Sequence, residues 1–112
     1  MEADALRAAL DDSARATEAQ LQSLGEDIAS IVDARLDTST DDEHDPEGTT
    51  LAYERSQADA LRVSALARLA EIARARERVD RGEFGNCEVC GRPIPDGRLE
   101  LRPWAARCVE HA

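Results

Sequence analysis

The sequence contains no lysine: all 14 of its basic residues are arginine. With abundant alanine, that composition points to a GC-rich coding bias and says little about chemistry. Aromatic residues number only three, Tyr53, Phe84 and Trp104. So few large side chains do not build a compact globular core, whereas a long helical pairing with small residues at its seam is within reach. No apolar run approaches the roughly 20 residues of a membrane span, and no basic N-terminal region precedes an apolar stretch. The chain is therefore expected to be soluble and cytoplasmic, a monomer with no membrane partner. Positive charge is also short: 24 acidic residues against 14 basic ones leave a formal net charge of −10. Neutralising phosphates supplies most non-specific affinity for nucleic acid, so direct DNA binding is not expected. A basic or metal-containing protein partner is the better electrostatic match.

Cysteine is sparse as well, but its three occurrences are organised. Cys87 and Cys90 form a C-x2-C pair, seventeen residues intervene, and Cys108 and His111 close the set as C-x2-H. Two such pairs at this separation match a four-coordinate zinc site, because each brings two ligands onto one side of a tight turn. Thiolate and imidazole are zinc's preferred protein ligands. A redox C-x-x-C would need a thioredoxin-like βαβ context, and a disulfide would leave one thiol over and require an oxidising compartment. Zinc is the expected cofactor, with Cys87, Cys90, Cys108 and His111 as ligands; water or Glu110 are the other occupants the spacing permits at the fourth position. Four protein ligands leave no open position, so the metal would be structural.

The first eighty residues read as two helices. Leu10, Ala14, Thr17, Leu21, Leu24, Ile28 and Ile31 alternate four and three residues apart, the period of a coiled-coil seam over residues 2–36. Val32 and Leu36 extend that face one position along, as a helix nearer 3.6 residues per turn would. Gly25 sits inside the run without necessarily breaking it. A second pattern runs from about Thr50 to Val79 through Ala58, Leu61, Ala65, Leu69, Ile72 and Val79. Between them, residues 37–48 carry Pro46 and Gly48 as punctuation, with Asp45 or Thr49 as a cap for the second helix. Two amphipathic helices joined by one polar turn fold back as an antiparallel hairpin, with arms of roughly 45–50 Å. The expected fold is mainly α: a long helical hairpin over residues 1–81, its acidic tip at about 37–48, then a small zinc-ribbon-like module over 82–112. Gly82 and Gly85 end the stem. The tip concentrates Asp37, Asp41, Asp42, Glu43, Asp45 and Glu47 without an arginine among them. As a bare pattern this is a solvated loop; as a probe, it would set carboxylates beside a cation or basic groups.

The module reads Gly82-Glu83-Phe84-Gly85-Asn86-Cys87-Glu88-Val89-Cys90-Gly91-Arg92-Pro93-Ile94-Pro95 and continues through Arg98-Leu99, Arg102-Pro103 and Cys108. Physically, Gly91 suits a left-handed turn after the second thiolate, and Pro93 and Pro95 stiffen the exit. Phe84, Ile94, Leu99, Leu101 and Trp104 are the candidate apolar cluster around the metal. Arg92, Arg98, Arg102 and Arg107 are expected to pair with Glu88, Asp96, Glu100 and Glu110 at the surface.

With the hairpin and acidic tip ahead of it, this segment resembles the DksA/TraR family of zinc-finger transcription regulators, closely over the finger and in architecture over the whole chain. The resemblance implies a protein that binds bacterial RNA polymerase without contacting DNA. Its hairpin would enter the secondary channel and bring acidic residues near the catalytic magnesium, often acting together with the alarmone guanosine tetraphosphate. The family's tip motif D-x-x-D-x-A falls on Asp42 and Asp45, with Glu47 in the alanine position, and His111 stands in place of the usual fourth cysteine. The expected function is thus a non-enzymatic transcription regulator; the alternative is a zinc-stapled coiled-coil adaptor without polymerase activity. A metal-dependent hydrolase is not expected, since His44 is the only other histidine, no H-E-x-x-H occurs and the zinc sphere would be full.

Overall fold

The computed structural model of the protein describes residues 1–37 and 46–112. Three α-helices follow one another, α1 (Ala3–Asp37), α2 (Pro46–Asp80) and α3 (Asp96–Leu101), and a 3-10 turn spans Val109–His111. No strand forms among the described residues, and none of their helices is long and apolar enough to cross a membrane. The fold is the expected one, a mainly α chain with an antiparallel helical hairpin followed by a small module. The second helix begins at Pro46, earlier than its apolar pattern suggested, so Gly48 lies inside it instead of punctuating a loop and Thr49 is not its cap. Proline is accepted there because a first-turn N–H has no intrahelical partner to lose.

The chain forms two compact units, one from Met1–Thr17 with Ala67–Ala112, the other from Glu18–Leu66. In the first, α1 and α2 run antiparallel, with Arg7 pairing with Asp80 at 3.3 Å and Arg76 with Asp11 at 2.7 Å. Leu6, Leu10, Ala14, Ile72, Ala75 and Val79 form its core. Phe84 and Trp104 pack against these helix residues, a role their positions in the module did not suggest. Thr17, the polar member of the seam, is buried, and its hydroxyl donates to the Ser13 carbonyl at 2.7 Å. The end of α2 is a Schellman cap: the Glu83 N–H bonds the Arg78 carbonyl at 2.8 Å and the Gly82 N–H the Val79 carbonyl at 3.0 Å. Gly82 sits at φ 72°, the left-handed conformation this cap requires.

In the second unit Leu24, Ile31, Ala58 and Ala65 are buried. Two expected seam residues are not. Leu36 is 78% exposed: it stands one residue past position 35, where the 3.5-residue repeat next falls, so the extension toward a 3.6-residue face does not carry it inward. Leu61 is 49% exposed, since the small Ala58 and Ala65 occupy the inward row and leave it on the rim of a groove. Helix α1 continues through Gly25, and no atom lies within 4 Å of where a Cβ would sit. Gly25→Ala is therefore expected to stabilise the protein by about 0.5–1 kcal/mol by limiting the unfolded chain, as a urea titration would read.

Candidate metal centre

Backbone hydrogen bonds shape the module around its ligands. Asn86 and Pro93 pair as an isolated antiparallel bridge. Inside that bridge the Cys87 N–H donates to the Arg92 carbonyl at 2.8 Å, and the Gly91 N–H returns to the Cys87 carbonyl at 2.9 Å. This closes a knuckle that sets Cys87 and Cys90 on one side, with Gly91 at φ 73° as its place in the sequence required. The other pair comes from the 3-10 turn, where the His111 N–H donates to the Cys108 carbonyl at 3.1 Å and brings the ring back toward the sulfur. Ile94 and Leu99 are buried, as are Cys87 and Cys108. Leu101, expected with them, is 83% exposed, because it ends the short α3 on the side away from Leu99.

All four sequence-predicted ligands meet. One donor atom from each of Cys87, Cys90, Cys108 and His111 lies within 4.8 Å of the other three, the one such cluster among the described residues. Cys90 Sγ is 3.7 Å from Cys108 Sγ, and His111 Nδ1 is 3.9 Å from Cys87 Sγ and 3.1 Å from Cys108 Sγ. A tetrahedral centre with Zn–S of about 2.3 Å and Zn–N of about 2.0–2.1 Å spaces neighbouring donors roughly 3.6–3.8 Å apart. The donor set fits such a metal. Glu110, the other candidate for the fourth position, pairs instead with Arg92 at 3.9 Å.

The thiols are not equivalent. Burial opposes ionisation of Cys87, but hydrogen bonds from the backbone N–H groups of Cys108, Cys90 and Val89 and from the Cys90 thiol bring its pKa down to about 6. At Cys90 the Arg92 N–H favours the thiolate, yet desolvation and the neighbouring sulfurs of Cys87 and Cys108 outweigh it and raise the pKa. Metal ligation needs thiolates, so capture here releases protons and weakens as pH falls.

The surrounding ion pairs are only partly those expected. Arg107 Nε donates to Glu88 at 2.7 Å, whereas Arg98 Nε turns to the Arg107 carbonyl at 2.9 Å. Asp96 pairs with the N-terminal ammonium at 3.0 Å. The sequence reading also missed that Arg78 of α2 belongs with the module: its guanidinium donates to the Trp104 carbonyl at 3.2 Å. The available signal was the pair Arg74 and Arg78, spaced one turn apart at the helix end. The tip residues Asp42 and Asp45 lie outside the described residues.

A family model described as the prokaryotic dksA/traR C4-type zinc finger matches residues 82–110, a span that holds all three cysteines. The module resembles a dksA/traR-type zinc finger. His111 falls just past the matched span of this finger, completing a three-cysteine, one-histidine set where a C4 finger has four cysteines. The chain is 37% identical over 62 residues to an uncharacterized protein of Aquifex aeolicus, covering 55% of this chain and 43% of that one. It is 34% identical over 71 residues to the uncharacterized protein YteA of Bacillus subtilis, covering 63% and 30%. With the uncharacterized protein YbiI of Escherichia coli, identity is 49% over 39 residues, covering 34% and 44%. The chain thus spans less than half the length of each of these relatives. Among solved structures, transcription factor DksA2 from Pseudomonas aeruginosa matches with a TM-score of 0.77 at 24% identity, over 97% of this chain and 78% of that one. The whole chain therefore resembles the DksA/TraR family, in sequence at the finger and in fold along its length.

Replacing His111 tests the ligand set directly. His111→Cys is expected to retain one zinc per chain, and His111→Ala to weaken binding by more than the ~10–100-fold that outer-shell changes cost. Competition against a chromophoric chelator measures both. Unchanged affinity in His111→Ala would hand the fourth position to water or Glu110.

Proposed function

We propose that this chain is a non-enzymatic transcription regulator that binds bacterial RNA polymerase. The observation that carries the reading is a dksA/traR-type finger on a chain whose fold matches a transcription factor over 97% of its length. In this reading residues 1–81 reach into the polymerase secondary channel, and Asp42 and Asp45 act near its catalytic magnesium. Residues 82–112 hold the base, with Cys87, Cys90, Cys108 and His111 binding a structural zinc. Four protein donors leave no coordination position for water or substrate, so the metal stabilises the finger and performs no chemistry. Because the chain is acidic, it is expected to reach the promoter through the polymerase and not through DNA.

One observation favours a second reading, a zinc-stapled adaptor: Glu47 puts a bulky carboxylate where the tip motif has alanine. The experiment that separates the two is a pull-down with in vitro transcription, comparing zinc-loaded wild type with Asp42→Asn/Asp45→Asn. A regulator of this kind binds polymerase and changes initiation, and the double variant loses the change. An adaptor tolerates both substitutions, and absence of polymerase binding by the wild type would end the leading reading.

A further inference from the structure

The four donors of the metal centre differ in how firmly the protein encloses them. Cys87 and Cys108 are buried and His111 is half-buried, whereas Cys90 is exposed. Hydrogen bonding is as unequal. The Cys87 Sγ accepts from the backbone N–H groups of Cys108, Cys90 and Val89, the last at 3.4 Å. Among backbone groups the Cys90 Sγ accepts from Arg92 alone. The chain beside the buried thiols is pinned as well. The Glu88 N–H bonds the Ala106 carbonyl at 2.9 Å, and Arg98 Nε holds the Arg107 carbonyl, next to Cys108, at 2.9 Å. Around Cys90 nothing closes in: Val89 is exposed, and no atom beyond its chain neighbours lies within 4 Å of where a Cβ on Gly91 would sit.

We propose that Cys90 is the exchange ligand of this centre, the last of the four donors to engage the metal and the first to yield it, to an entering small thiolate. The proposal rests on the zinc reading of the site and is independent of the polymerase reading. Four protein donors leave no vacant position, so a competing ligand has to displace one of them. It can do so only where it can approach, and Cys90 is the donor that faces solvent. A thiolate is the best matched entering group, because it has the charge and softness of the group it replaces. One metal–sulfur bond forms as the Cys90 bond breaks, the released Cys90 thiolate takes a proton from water, and no electrons change hands. Cys87 is held back from this exchange by its N–H donors, which stabilise the thiolate where it sits. Cys108 is held back by burial. With His111 they form a platform of three donors that keeps the finger closed while Cys90 is away.

The test is a pulse of iodoacetamide on the zinc-loaded protein, with the three cysteines read separately by peptide mass spectrometry. Alkylation forms a C–S bond with loss of iodide and so removes a thiolate donor for good. Cys90 is expected to be labelled roughly tenfold or more faster than Cys87 and Cys108, with zinc reaching a chromophoric indicator as Cys90 is consumed. The stripped chain in urea is expected to label at all three at similar rates, which sets their intrinsic reactivities. Labelling of Cys87 or Cys108 first, or of all three together while metal is bound, would show that the finger opens as a whole and overturn the proposal. Equal labelling of loaded and stripped protein without urea would instead remove the zinc reading beneath it. Cys90→Ser separates a loose ligand from an essential one: at saturating zinc it is expected to keep Cys87 and Cys108 shielded. If the variant labels them as fast as the stripped chain does, Cys90 anchors the site and the proposal fails. Added 2-mercaptoethanol is expected to speed zinc transfer from the wild type to the indicator, and a rate independent of the thiol would rule out its entry at Cys90.

Discussion

Stripping zinc from the loaded protein is expected to unfold residues 82–112 and loosen the helix ends that pack against them. The finger has little else to hold it: one six-residue helix, one isolated bridge, and Cys87, Ile94, Leu99, Pro103 and Cys108 as its buried apolar residues. A segment of that size does not bury enough surface to offset its conformational entropy. Structural zinc in finger peptides contributes about 10–16 kcal/mol at neutral pH, comparable with the whole ~5–15 kcal/mol stability of an ordinary domain. The loss reaches the helices because Phe84 and Trp104 pack against the cluster that Leu6, Leu10, Ala14, Ile72, Ala75 and Val79 form. Trp104 reports it, since chelation frees a half-buried indole from Arg68 and the core and shifts its emission to the red. Far-UV helicity falls less, because α1 and α2 also pack within Glu18–Leu66. Cys108→Ser is expected to reproduce the effect without a chelator. Unchanged emission and an unchanged melting profile after chelation would mean that the metal does not hold the finger.

The second large effect is expected from Ile72→Ala. Ile72 is 1% exposed and, with Leu10 at 0%, is one of the two largest fully buried side chains. Its neighbours in the core include Ala14 and Ala75, which have no side-chain length with which to refill a void. The change is expected to cost about 2–5 kcal/mol, from lost transfer energy and the cavity together. At roughly 4–8 °C per kcal/mol for a domain near this size, the zinc-loaded protein should melt at least 8 °C lower. Leu66→Ala, at a position 47% exposed, is the control and should cost well under half as much. Equal effects from the two substitutions would show that the Leu10–Ile72 cluster is not the core.

The features legible in the sequence were those that repeat or are chemically rare. The seam from Leu10 to Ile31 is buried or half-buried throughout, because a 3.5-residue period admits one inward face. The strict repeat points one step earlier to Arg7, which pairs with Asp80, whereas Leu6, four residues before Leu10, is the buried one at 2% exposure, so the core reaches past the reading from Leu10. The four candidate donors were legible because the spacing makes each pair a turn, and the structure brings the two turns together. What the sequence concealed depends on contacts across long separations. Phe84 and Trp104 were assigned to the metal cluster by proximity along the chain, but their partners include residues near its start and in α2. An arginine-lined cleft was hidden in the same way, since Arg98, Arg102 and Arg107 read as a surface ion-pair set until α2 brings Arg74 and Arg78 beside them.

The finger's unit is assembled from both ends of the sequence, Met1–Thr17 and Ala67–Ala112, whereas Glu18–Leu66 is continuous. During synthesis Leu6 and Leu10 therefore wait for Ile72, about 60 residues away, or roughly 3–12 s at translation rates of ~5–20 residues per second. The continuous segment has all its partners first and can pair before the remainder exists. Leu6 and Leu10 stay unpaired on the nascent chain through that interval, an apolar stripe of the kind that chaperones bind. Cys108 and His111 emerge later still. Metal capture by these donors is therefore expected to be the closing event of folding, and a chain kept without metal is expected to leave residues 82–112 open to aggregation and proteolysis.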